Sequence, residues 1–144
     1  MKILFKAHFI LAALFFVAII LRLYNLSSFP VGFHIDEASL GYNGYSLLHT
    51  GKDENGNAFP LYIDMFGDSR PSGYHYLAMV SVALFGLTEF ATRLPGALFG
   101  SLTVFAIFFL AQVVFKRKSI SLLSAMFLAI APWHVVLSRA SAET

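Results

Sequence analysis

The stretch LPGALFGSLTVFAIFFLAQVVF, residues 94–115, holds no charged side chain and is long enough to cross a bilayer, which takes roughly 20 mostly apolar residues. Two more stretches read the same way, from about Ala7 to Leu23 and from Ser119 to Leu137. Tyr74 to Leu87 is apolar too, but short for a span. Across the chain 58% of residues are hydrophobic and 12% are charged, outside the range of soluble globular domains. The absence of cysteine excludes disulfides and thiolate metal sites. A formal charge of +2, scattered along the chain, offers no basic surface to nucleic acid.

Working outward from the spans, Lys2 and Lys6 precede the first apolar run as in a signal peptide. Leu23-Tyr24-Asn25-Leu26 offers no small-x-small cleavage site, so the run reads as an uncleaved signal anchor. Basic residues in short loops favour the cytoplasmic side. Lys2 and Lys6 therefore place the N-terminus inside, and Lys116-Arg117-Lys118 belongs inside as well. Both hold only if one span separates the long polar stretch from the basic triplet. Tyr74 to Leu87 is then expected to lie in the outer interface rather than cross. The expected fold is an all-α membrane protein of three spans, about 7–23, 94–115 and 119–137. Residues of about 25–93 form an outer loop, and all eight acidic residues are external.

Within that loop Asp36 and Glu37 stand side by side. Acids beside a bilayer are costly and are usually kept for a purpose, such as holding a cation or taking a proton. Asp36 is expected to open a helix to about His49, where a carboxylate suits the exposed N–H groups and the dipole. Ala38, Gly41, Tyr45 and Leu48 would make its packing stripe, and Gly51 would end it. Asn55-Gly56 marks a hairpin-type turn, and Phe59 to Tyr62 is extended. His49, Lys52, Asp53 and Glu54 read as solvated surface. Arg70 precedes a proline near a helix start, with His75 one turn in, an arrangement suited to a phosphate. The alternative for Arg70 is pairing with Asp68 or Asp64. Glu89 and Arg93 are placed to pair with each other. Gly96 and Gly100 fit a close-packing pattern. Pro132 should kink the last span, and Trp133 and His134 read as interfacial anchors.

Four segments occur in order: His34-Ile35-Asp36-Glu37-Ala38, Gly67 to Tyr74, Thr88 to Pro95, and Pro132-Trp133-His134 through Ser138-Arg139 to Glu143. Together they resemble the N-terminal part of bacterial family 39-like membrane glycosyltransferases. These are relatives of protein O-mannosyltransferases and of the aminoarabinose transferases acting on lipid A. The resemblance implies the C-type glycosyltransferase fold, with juxtamembrane helices in a large first outer loop. It implies transfer from a polyprenyl-phosphate sugar donor to a lipid, glycan or protein acceptor, at the outer side of the bacterial inner membrane. By position, it puts the catalytic acid on Asp36 with Glu37 beside it. Donor phosphate contacts fall on Arg70, with Tyr74 and His75 next to it. A second acid or metal ligand falls on Glu143, where aspartate is commoner in the family, and His34 and Arg139 fall in supporting places.

An inverting transfer of this kind needs a base for the acceptor hydroxyl, which Asp36 can be. It also needs charge compensation at the phosphate, from Arg70 or from a divalent cation held by Glu37 and Glu143. The rival reading, a multi-pass transporter or ion-binding protein, expects charges inside the spans, and these hold only His8 and Arg22. The family's enzymes have further spans, so residues 1–144 are expected to be a fragment without activity of its own.

Overall fold

The computed structural model describes the backbone of residues 2–65 and 67–141 and the side chains of residues 7–65 and 67–141. Its elements are α1 (Lys2–Leu23), α2 (Ile35–Thr50), β1 (Tyr62–Met65), β2 (Asp68–Pro71), α3 (Gly73–Phe85), α4 (Glu89–Phe115), α5 (Lys118–Ile130) and α6 (Pro132–Arg139). They fall into two compact units. One is built on α1, α5, α6 and α4 from Ala97 onward; the other holds residues 25–96 with Ala140 and Ser141.

Among the described residues, α4 is the one helix long and apolar enough by itself to cross a membrane. α5 and α6 qualify only as a pair, bent by 55° at their break, and the apolar helix Ala7–Leu23 is shorter. In the α1 unit, Leu11, Ala18, Val104, Phe108, Ala125 and Ala129 form the buried core. Its alanines let helix backbones come close. Gly100 does the same, since a Cβ there would collide with Ser138. The turn between α4 and α5 is made by Lys116, at φ 53°, and by Arg117, which is extended.

The α5–α6 break has a local cause. Ala131 leaves the helical region, with ψ 117°, as the residue before a proline tends to do. Pro132 has no N–H for the Leu128 carbonyl one turn back. Arg22, fully buried, fills the gap. Its Nη2 donates to Leu128 O at 3.4 Å, and its Nη1 donates to Ala129 O and Ala18 O, each at 3.1 Å. Nη2 also donates to His134 Nδ1 at 2.8 Å. The His134 proton therefore sits on Nε2, which faces Thr103 Oγ1 at 3.3 Å. His134 thus belongs to an internal polar network, not to an interfacial anchor as expected, whereas Trp133 is exposed.

In the second unit α2 packs on α3. Gly44 makes this possible, because a Cβ there would lie 3.0 Å from Met79 N. Leu47, Ile63 and Met65 form the apolar cluster, with Tyr76 and Met79 against it. The expected stripe on α2 holds only at Gly41; Ala38, Tyr45 and Leu48 are exposed. The buried face is partly polar instead, with Ser39 and Asn43 inside. Asn43 satisfies itself by donating to Ser39 O at 3.1 Å and accepting from Glu54 N at 2.9 Å. Gly51, at φ 69°, ends the helix by donating to Leu47 O.

The fold is mostly helical, as expected, with one short addition: β1 and β2 form an antiparallel hairpin with Ile63 opposite Arg70, and the Ser72 and Tyr76 hydroxyls both donate to Pro60 O, at 2.6 and 2.8 Å. Asp53, expected at the surface, is 3% exposed. Its Oδ1 accepts from Asn55 N and Asn57 N at 3.0 and 2.7 Å, which shapes the turn. α3 turns Leu77, Val80, Leu84 and Phe85 outward and keeps His75, Ala78, Ser81 and Val82 inside.

Candidate functional site

The start of α2 is organised by His34 rather than by Asp36. His34 is the N-cap residue, and its Nδ1 accepts the Asp36 backbone N–H at 3.3 Å. In return its own N–H donates to Glu37 Oε2 at 3.0 Å, a reciprocal pairing that satisfies two orphan donors. The same Nδ1 lies 3.5 Å from Asp36 Oδ2. The cation facing that oxygen is Arg70, with Nη1 at 3.4 Å. Arg70 reaches it from β2 while its Nε lies 3.5 Å from Asp68. The Asp36 side chain is 11% exposed, so a small polar group can still approach it.

Glu37 has a different environment. It is 1% exposed and its two oxygens take four donors. Oε1 accepts from Arg93 Nε at 2.8 Å and Ser141 N at 3.1 Å; Oε2 accepts from Arg93 Nη2 at 2.9 Å and from His34 N. Burial pushes its carboxyl up. The Arg93 hydrogen bond, then the His34 and Ser141 N–H groups, outweigh that and hold it below the usual range.

Arg93 is fully buried and does more than pair. Nη1 donates to Leu26 O at 3.2 Å and Ser27 O at 3.4 Å, and Nη2 to Gly32 O at 2.7 Å. Phe33 stacks on the guanidinium at 5.6 Å. Glu89, the expected partner, is 3.7 Å from Nη1 and half exposed.

The remaining candidates divide. The Tyr74 hydroxyl is held within its own unit: it donates to Thr92 O at 2.9 Å, lies 2.6 Å from Ser141 Oγ, and accepts from Gly96 N at 3.1 Å. Burial pushes that phenol up, partly offset by Ser141. His75 is buried at 1% exposure and neither ring nitrogen has a hydrogen-bond partner among the described residues. Burial, helped by the Arg70 charge, lowers its pKa to about 4, so the ring is neutral at pH 7. Arg139 donates to Leu21 O at 2.7 Å. Glu143 lies outside the described residues.

Among the described residues no three acidic, histidine or cysteine side chains gather as a cation site. With four donors on its oxygens, Glu37 has no lone pair suited to a metal.

Two cavities flank the start of α2. One of about 360 Å³ is walled by Pro30, Val31, Gly32 and Phe33, with His34, Glu37 and Ala140. The other, about 300 Å³, lies between Ala38, Gly41 and Tyr42 and the Leu87–Thr92 corner. Arg93, Ser141 and Thr92 carry no site signal in the sequence pattern, apart from the place of Arg93 as a cation at the edge of an apolar stretch, where burial demands partners.

Residues 69–144, just over half of the chain, match a family model described as dolichyl-phosphate-mannose-protein mannosyltransferase. The match begins in β2 and runs through α3 to α6, so Arg70 lies inside it and Asp36 before it. No curated protein and no solved structure matches the chain.

Proposed function

This chain belongs to the dolichyl-phosphate-mannose-protein mannosyltransferase family, a family of membrane glycosyltransferases, and on that premise we propose its reaction. A sugar passes from a polyprenyl-phosphate donor to a hydroxyl of a lipid, glycan or protein acceptor, at the outer face of the bacterial inner membrane. The acceptor oxygen forms the new bond to the anomeric carbon while the bond from that carbon to the phosphate oxygen breaks. Asp36 takes the hydroxyl proton as general base. Arg70 offsets the charge that collects on the departing polyprenyl phosphate.

The observation that carries this reading is the 3.4 Å approach of Arg70 Nη1 to Asp36 Oδ2. A phosphate held by that guanidinium lies within a few ångströms of the base, as an in-line displacement requires. Glu37 is assigned no chemistry, because its oxygens are committed to four donors. The outward apolar face of α3 supports a place at the membrane interface, where a lipid-linked donor arrives sideways.

Asp36→Asn tests the reading in membranes expressing the protein from its own gene, supplied with labelled polyprenyl-phosphate hexoses and pentoses. Transfer should fall by about 10²-fold or more, the range for loss of a general base, with the protein still present and folded. Transfer by Asp36→Asn at the unmutated rate ends the assignment.

A further inference from the structure

We infer that Arg93 is the positioning residue of the Asp36 site, a role that rests on the function proposed above. A hydrogen-bond relay runs from it to the acid. Arg93 Nη2 donates to Glu37 Oε2, the same oxygen accepts the His34 N–H, and His34 Nδ1 accepts the Asp36 N–H. Arg93 thus fixes the first turn of α2, and with it the origin of the Asp36 side chain. It touches neither Asp36 nor Arg70 in any hydrogen bond or ion pair described above, so its action is indirect.

The same guanidinium sets a second wall. By holding the carbonyls of Leu26, Ser27 and Gly32 and lying against Phe33, it orders the segment that lines the cavity of about 360 Å³. His34 and Glu37 line that cavity from the α2 side. One buried cation therefore sets the spacing between the acid's helix and the cavity wall. A planar fork with five N–H donors can do this; a lysine ammonium has three donors, no fork, and cannot make the paired contact to a carboxylate.

The test is Arg93→Lys in the protein expressed from its own gene, with rates expressed per donor-binding site counted by equilibrium binding of a polyprenyl phosphate. We expect kcat per site to fall by about 10²-fold, the size of effect that a misplacement near 1 Å produces. KM for the donor should stay within about twofold, because the phosphate contact belongs to Arg70. Unchanged kcat per site overturns the role, and so does a loss that appears wholly in donor KM. If Arg93→Lys does not fold, the outer link of the relay serves instead. His34→Ala should lower kcat, and His34→Asn, which restores an N-cap acceptor, should recover it; equal rates in the two variants overturn the relay. A wild-type protein that transfers no sugar takes down the function and this role together, whereas normal wild-type turnover with an unaffected Arg93→Lys takes down this role alone.

Discussion

Lowering the pH should weaken the fold through one buried ring. His75 is held neutral, its pKa lowered from 6.5 to about 4 by burial and by the Arg70 charge. The unfolded chain binds a proton there below pH 6.5, while the folded chain does so only near pH 4. Between those values the unfolded state holds more protons, so stability rises with pH and is lost on acidification. The contribution is fully present above pH 6.5 and gone below about 4. At 1.36 kcal/mol per pKa unit the whole window is worth about 3 kcal/mol. Carboxylates also titrate at its lower end, so the measurement is a difference. Stability of wild type and of His75→Leu is followed in detergent micelles from pH 7.5 to 4 by reversible unfolding. The wild type should lose about 3 kcal/mol more than the variant over that range. At pH 7.5 the leucine protein should be no less stable, since neither ring nitrogen has a partner to lose among the described residues. Parallel curves down to pH 4 would refute the argument.

Two other perturbations follow from the packing of the same unit. Glu37→Gln strands the Arg93 charge and should cost about 3–5 kcal/mol. In a double-mutant cycle with Arg93→Met, losses that add to within about 0.5 kcal/mol would show no coupling and contradict the pairing. Gly44→Leu drives a side chain into the α3 backbone at Met79 and Ala78, the latter's carbonyl carbon 3.2 Å from the position of the first added atom. It should destabilise by about 1–3 kcal/mol, and an unchanged unfolding midpoint would mean that α2 and α3 do not pack at this notch.

Much of this architecture can be read along the chain because its causes are local. Gly51 ends α2, Pro132 breaks the last apolar stretch, and residues 94–115 are helical throughout, each for reasons contained in a few neighbouring residues. Of the four segments that carry the resemblance, the family model over 69–144 takes in the last two and Ser69 to Tyr74 of the second, while His34 to Ala38 lies before it. The missed features are long-range. Arg93 had an acidic neighbour four residues back on its own helix, and nothing local says that Glu37, 56 positions away, would outcompete it. The reason is geometric: Glu89 stays half exposed, whereas Glu37 is delivered to the guanidinium in fork register. The stripe on α2 failed for another reason. Hydrophobic spacing alone does not say which side of a helix is packed, and the packed side here is marked by Gly41 and Gly44, whose added Cβ atoms would meet Thr92 and Met79. For Asp53, a polar turn was legible, but not that its carboxylate would be enclosed by the turn it organises.

The bend between α5 and α6 has a consequence for motion. Straightening it would bring the Leu128 and Ala129 carbonyls back toward helical geometry, yet Pro132 still has nothing to offer the first of them. The guanidinium of Arg22 would then be evicted from its oxygens into surroundings with little water. Arg22→Met, which leaves the Leu128 and Ala129 carbonyls without that donor, should make the corner more mobile, seen as faster amide exchange across residues 129–135.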